Sequence, residues 1–213
     1  MLKALDRSVG RILDTLEKND LTDNTLIVLT SDNGGANYIH LSDINKPYRG
    51  WKLTHFEGGL HVPFMAKWPN KIKPGIEFNA PIHANDILPT FAAAAGAELP
   101  DDRIIDGVNL LPFLQNHNSE MPHETLYWLQ GRLQTVLHEN WKLITDHRTG
   151  KDWLFNVESD PYERINLASE MTLKVEELKR LLNDHKKVQP PPLYDNTMSV
   201  PILIDKHNGY AFQ

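Results

Sequence analysis

The run Thr25-Leu26-Ile27-Val28-Leu29-Thr30 constrains this chain more than any other segment. It is short, continuously apolar and rich in β-branched residues, the pattern of a strand buried on both faces. Before it, Leu2, Leu5, Val9, Ile12, Leu13 and Leu16 recur at helical spacing, with Asp6, Arg7, Asp14, Glu17 and Lys18 on the other face. That pattern predicts an amphipathic helix packed on a neighbour and ending near Asn19-Asp20. A helix feeding such a strand points to an α/β sheet. Ser31-Asp32-Asn33-Gly34-Gly35 then forms a turn at the strand's C-terminal end, the edge at which open α/β sheets bind ligands.

Further on, a long polar loop runs to about Gly59, and residues 61–68 read as a second strand ending at Pro69-Asn70. Asn85 or Asp86 can cap a helix that runs through residues 91–95 and is closed by Gly96. Asp106-Gly107 marks a turn, and residues 110–114 a short apolar segment. The character changes near Met121-Pro122. Short strands are expected over 125–129, 133–138, 141–145 and 153–157, separated by turn-forming residues. A helix over about 169–187 follows, with Leu178, Leu181 and Leu182 inward. Pro190-Pro191-Pro192 ends regular structure and leaves an extended arm. The expected organisation is therefore an α/β part over 1–122, a small antiparallel sheet with a helix over 123–188, and a tail over 189–213.

Composition excludes several classes. The formal net charge is −6, which gives no electrostatic preference for nucleic acid or an anionic membrane. An anionic substrate would have to be held by a local cation or a metal. No stretch approaches the ~18 apolar residues of a membrane span. There are no cysteines, so disulfides, thiolate metal sites and cysteine nucleophiles are excluded. Met1-Leu2-Lys3-Ala4-Leu5 lacks the charged region, apolar run and cleavage site of a secretory signal. The expectation is a chain that starts inside a helix, as a truncated product would.

Among individual residues, Asp32 and Asn33 offer one charged and one neutral hard oxygen, suited to Ca²⁺ or Mg²⁺. Asp-Asn-Gly-Gly is equally a common turn composition. Lys52, in Tyr48-Arg49-Gly50-Trp51-Lys52-Leu53-Thr54, can hold an anionic oxygen as a point charge or be an ordinary surface lysine. Glu57-Gly58-Gly59 suggests close backbone packing. His55 and His61 flank it and are read as structural, each able to line a pocket. Asp86 is read as a helix cap. Trp128, Trp141 and Trp153 are read as core or edge packing.

Taken in order, these elements resemble the second half of the sulfatase family of the alkaline phosphatase superfamily. The ordered set is an amphipathic helix, Asp-Asn-Thr, an apolar strand, Ser-Asp-Asn-Gly-Gly, Arg-Gly-x-Lys, Glu-Gly-Gly, Val-Pro, Trp-Pro, Asp-x-x-Pro-Thr and Asp-Gly. It covers residues 2–114, and Trp141-Lys142-Leu143-Ile144 with Asp160-Pro161-Tyr162-Glu163-Arg164-Ile165-Asn166-Leu167 extends it. The resemblance implies the C-terminal portion of an alkaline-phosphatase-like α/β sandwich followed by a small antiparallel α+β subdomain. It implies a sulfuric ester hydrolase acting on sulfate esters, with sulfated polysaccharides as the preferred class. Asp32 and Asn33 match the pair that binds the active-site divalent cation, usually Ca²⁺. Lys52 matches the catalytic lysine that contacts the substrate sulfate. Trp51 stands where many relatives carry glycine, and His61 where many carry arginine. Related phosphatases tend to show Asp-His in place of Asp32-Asn33, and an amide oxygen favours a harder ion.

The same resemblance implies a formylglycine nucleophile, made from a Cys/Ser-x-Pro-x-Arg motif, whose hydrate attacks sulfur while the metal polarises the ester and a histidine protonates the leaving group. Ser199-Val200-Pro201-Ile202-Leu203 has the first and third residues of the serine form, but Leu203 replaces the arginine. The expectation is a fragment, inactive alone, with a complementary N-terminal half as partner and a periplasmic or secreted full-length enzyme. Two alternatives stay open: a non-catalytic sulfatase-like module, and a phosphoryl-ester hydrolase of the same superfamily.

Overall fold

A computed structural model describes residues 2–39, 41, 43–116 and 120–191. The chain forms two compact units. One takes the residues up to Thr30 together with Phe64–His123, and the other takes Ser31–Pro63 together with the described residues from Glu124 onward. Most of the tail expected over 189–213, and the Ser199-Val200-Pro201 segment, lie outside the described residues.

In the first unit, α1 spans Leu2–Lys18, β1 Ile27–Thr30, β2 Phe64–Lys67, α3 Ile87–Ala95 and α4 Leu111–Leu114. The helical period of the opening segment is realised, but α1 buries none of its residues. Leu2, Leu5 and Ile12 are exposed, so the expected packing of its apolar stripe is not found among the described residues. β1 also differs from the expectation. It pairs antiparallel with β2 alone, Ile27 opposite Lys67 and Thr30 opposite Phe64, and its Leu29 and Thr30 are exposed. A two-stranded ribbon cannot cover both faces of a continuously apolar strand. β2 is shorter than residues 61–68 because Pro63 has no amide to give the ladder.

The core of this unit gathers Trp68, Ile72, Leu110, Leu111 and Leu114. Gly96 closes α3 in the left-handed conformation at φ 66°, its N–H directed at the Ala92 and Ala93 carbonyls. Asp86 does not cap α3 with its side chain. It is fully buried, accepts from the His83 and Val108 N–H groups, and pairs with His123 Nε2 at 2.8 Å. The reason is the 3₁₀ turn Ala84–Asp86 ahead of α3. It moves the capping position back to His83, which takes the Asn85 N–H and leaves Asp86 to tie in the 107–108 loop.

In the second unit, β3 Thr125–Gln130, β4 Leu133–His138, β5 Trp141–Asp146 and β6 Lys151–Asn156 form an antiparallel sheet in sequence order. The expected strands are all present, each within a few residues. Helix α5, Thr172–Val188, covers one face, burying Val175, Leu178 and Leu182 against Val136, Leu143 and Leu154. The other face carries Leu133, Ile144, Trp153 and Phe155, and Phe56 closes over them. Phe56 has no exposed surface and meets the Trp153 ring edge-on at 5.8 Å. Burying a ring of this size contributes about 2–3 kcal/mol. Both faces of the sheet are therefore covered, which explains why β4 and β5 are buried along most of their length instead of alternating. Between residues 49 and 63 lies a short helix α2, Glu57–Leu60, where the sequence reading has loop.

His55 sits beneath this cover, 3% exposed, with Nδ1 2.8 Å from Thr135 Oγ1. Burial and the nearby Lys142 charge push its pKa down to about 4, so the fold holds it neutral. A histidine depressed in the fold contributes stability that is complete above the unfolded value of 6.5 and is lost as pH falls from there toward 4. At ~1.4 kcal/mol per unit, the loss is about 3 kcal/mol. Urea unfolding between pH 7 and pH 4.5 is expected to show this loss in the parent chain and a much flatter dependence in His55→Asn. Equal slopes in the two would contradict the assignment.

Candidate functional site

Ser31, Asp32 and Asn33 leave β1 in a turn that Ser31 Oγ braces by donating to the Asn33 carbonyl at 3.0 Å. Asp32 is exposed. Its carboxyl is held below the ordinary aspartate value by a hydrogen bond from the Asn33 side chain, then by nearby backbone N–H groups and the positive charge of Lys52. The Asn33 Oδ1 is buried and has no hydrogen-bond partner among the described residues. A buried amide oxygen without a donor costs about 1–3 kcal/mol. An acceptor left open beside an ionised carboxylate fits a hard cation, whose coordination would supply the missing partner.

Gly34 and Gly35 let a second strand of backbone approach this turn. The Gly34 N–H donates to Gly59 O at 3.1 Å, and a Cβ on Gly34 would lie 1.8 Å from Gly58 O. Gly35 accepts from the Lys52 N–H at 3.1 Å, and Asn45 bridges Gly35 to Gly50 through its side-chain amide. Lys52 and Leu53 form the tip of a tight turn. The Thr54 N–H donates to Trp51 O at 2.9 Å, and Thr54 Oγ1 bonds both Trp51 N and Trp51 O. Leu53 takes φ 80°, as the third residue of a type II turn must, at a steric cost that glycine would avoid. The half-buried Lys52 is thus carried on a rigid tip. Trp51 is 6% exposed, and its indole N–H also lacks a partner among the described residues.

The structure therefore brings Asp32, Asn33 and Lys52 together, joined by the Gly34–Gly59 and Gly35–Lys52 hydrogen bonds. Of the two flanking histidines, His55 is core. His61 is exposed, with Nδ1 2.8 Å from Glu57 Oε2 and its ring stacked on Tyr48 at 4.6 Å. Glu57 is drawn the other way as well, to Lys142 Nζ at 2.5 Å. Burial raises a carboxyl, but here the Lys142 charge and the His61 bond outweigh it and bring Glu57 to about 2. At Glu163, also against Lys142 at 2.8 Å, burial prevails and its carboxyl is held above the ordinary value. The sequence reading gave Lys142 and Glu163 no role. The signal was there: Lys142 is a lysine set between Trp141 and Leu143-Ile144 in a strand buried along most of its length.

The family pattern described as Sulfatase matches residues 1–97, and that described as N-sulphoglucosamine sulphohydrolase, C-terminal, matches residues 50–188. The chain is 38% identical to the steryl-sulfatase of Rattus norvegicus over 75% of its own length and 28% of that protein's. It is 30% identical to the ulvan-active sulfatase of Formosa agariphila over 94% of its length and 44% of that protein's. The crystal structure of Ps i-CgsB in complex with k-i-k-neocarrahexaose superposes with a TM-score of 0.80 at 30% identity, covering 93% of this chain and 44% of that one. The chain thus spans less than half the length of these relatives.

The Gly34 approach is testable directly. Gly34→Ala pushes a methyl into a backbone carbonyl that cannot rotate away, and is expected to cost about 1–3 kcal/mol or more in thermal unfolding. Gly10→Ala is the contrast, since nothing lies within 4 Å of a Cβ there, and mid-helix alanine should stabilise by about 0.5–1 kcal/mol. A Gly34→Ala chain with the parent melting temperature would contradict the close approach.

Proposed function

This chain belongs to the sulfatase family, and on that premise we propose that it supplies part of a sulfate-ester hydrolysis site. Asp32 and Asn33 provide two oxygen ligands for a divalent cation, Ca²⁺ by preference, and Lys52 holds the substrate sulfate. The buried, partnerless Asn33 Oδ1 beside the ionised Asp32 is the observation that carries this reading. An amide and a carboxylate are hard donors and suit Ca²⁺ better than the softer ions that imidazole selects.

When bound, the cation would polarise the ester and stabilise charge on the sulfuryl oxygens. The chain's own residues bind and orient. The Trp51–Thr54 turn presents the Lys52 ammonium as a point charge toward the anion, in a chain whose net charge of −6 offers no general attraction for it. The 213 residues contain no cysteine and no Ser-x-Pro-x-Arg, so the formylglycine nucleophile is not among them. By itself the chain is inactive, and a complementary segment completes the site. Sulfated polysaccharide is the substrate class this reading favours. The ulvan-active relative aligns over 94% of the chain, and the similar structure holds an oligosaccharide.

Two ligands out of the ~6–8 that Ca²⁺ takes should bind weakly, with Kd on the order of 10⁻⁴–10⁻³ M. Calorimetric titration of the chain with CaCl₂ is expected to saturate in that range. Asp32→Ala and Asn33→Ala should each weaken binding at least about tenfold, a loss of ~1.4 kcal/mol, while Lys52→Ala leaves it intact. Unchanged Ca²⁺ binding in both ligand variants would sink the proposal.

A further inference from the structure

Lys142 is the most deeply buried ammonium described, 1% exposed, and it faces two carboxylates. One of them, Glu163, has no exposed surface and holds its backbone at φ 54°, a region that residues with side chains avoid. Something must hold it there. Its Oε2 accepts from the Glu57 N–H at 2.7 Å, capping the first turn of α2. Its carbonyl accepts from the Arg49 guanidinium at 3.0 Å, and that guanidinium lies 4.2 Å over the Phe56 ring. The Arg49 carbonyl in turn accepts from the Gly58 N–H at 2.6 Å. Every one of these ties converges on residues 49–58, and the next link is the Gly59 carbonyl that receives the Gly34 N–H.

Stability alone does not require such an arrangement, since apolar side chains of similar volume commonly serve as well as a buried ion group. What charged, directional contacts add is a fixed position. We propose that Lys142 and Glu163 are positioning residues for the candidate site. They set where the Glu57-Gly58-Gly59 helix lies over the sheet and, through the Gly59–Gly34 hydrogen bond, where Asn33 is held. Only the cation part of the test below rests on reading Asp32 and Asn33 as ligands.

The test compares Lys142→Met, Glu163→Gln and Lys142→Met/Glu163→Gln by amide hydrogen exchange and by Tb³⁺ titration of the full chain. Lys142→Met leaves Glu57 and Glu163 facing each other without a cation. Exchange at the Gly34 and Lys52 amides is expected to speed up at least tenfold relative to the Val136 and Leu143 amides of the sheet, and Tb³⁺ affinity to fall about tenfold. In the double variant the side-chain amide introduced by Glu163→Gln can donate to the Glu57 carboxylate and accept from the Glu57 N–H, so both properties should return toward parent values. Gly34 exchange that rises only in step with the sheet amides, or a double variant with no recovery, overturns the proposal. Should Lys142→Met not fold, Glu163→Ala decides in its place, because it removes the acceptor of the Glu57 N–H: faster Gly34 exchange supports the clamp and parent exchange overturns it. If Asp32→Ala leaves Tb³⁺ binding unchanged, the cation reading fails, and the Gly34 exchange still decides the clamp.

Discussion

The second unit depends on a backbone-to-backbone contact with no room for a side chain, Gly34 against Gly58 and Gly59. A hydrogen bond of 3.1 Å between bare backbones brings the Asp32-Asn33 turn within reach of a segment that also carries Lys52. Each partner is anchored elsewhere. The turn is tied to β1 by the chain itself, and the 49–63 segment is tied to the sheet by Phe56 on the apolar side and Glu57 on the charged side. Close packing transmits small displacements instead of absorbing them, so the placement of the candidate site follows from how this segment rests on the sheet.

The electrostatics have the same organisation. The chain as a whole repels anions weakly, yet the candidate site presents an ammonium on a tight turn beside a carboxylate and an open amide oxygen. Charges that would disturb this balance are neutralised in place. Glu57 is ionised but shared between Lys142 and His61, and His55 is kept neutral by burial. At residues 49–63, the proposed function uses the half-buried Lys52 for recognition, while the buried Glu57 is held in an ion pair with Lys142.

Much of the small sheet was legible from turn residues and alternation, because an antiparallel meander is written locally: Gly131, Glu139-Asn140 and Thr149-Gly150 stand where the strands reverse. The Asp32, Asn33 and Lys52 candidates were legible only as an ordered set, since each is ambiguous alone. Two things were not legible. The exposure of α1 and β1 depends on which neighbours cover them, which local periodicity cannot state. The Lys142–Glu57–Glu163 group joins residues about a hundred positions apart, and Asp86 with His123 joins two elements in the same non-local way. A lysine flanked by apolar residues in a buried strand hints at a partner without naming it.

Anomalous diffraction from crystals of the chain soaked in terbium chloride tests the central claim most directly. The account predicts a strong peak within about 2.3–2.6 Å of Asn33 Oδ1 and an Asp32 carboxylate oxygen, the range of oxygen ligands around Ca²⁺. No peak there, with terbium bound only at other acidic positions, would contradict it.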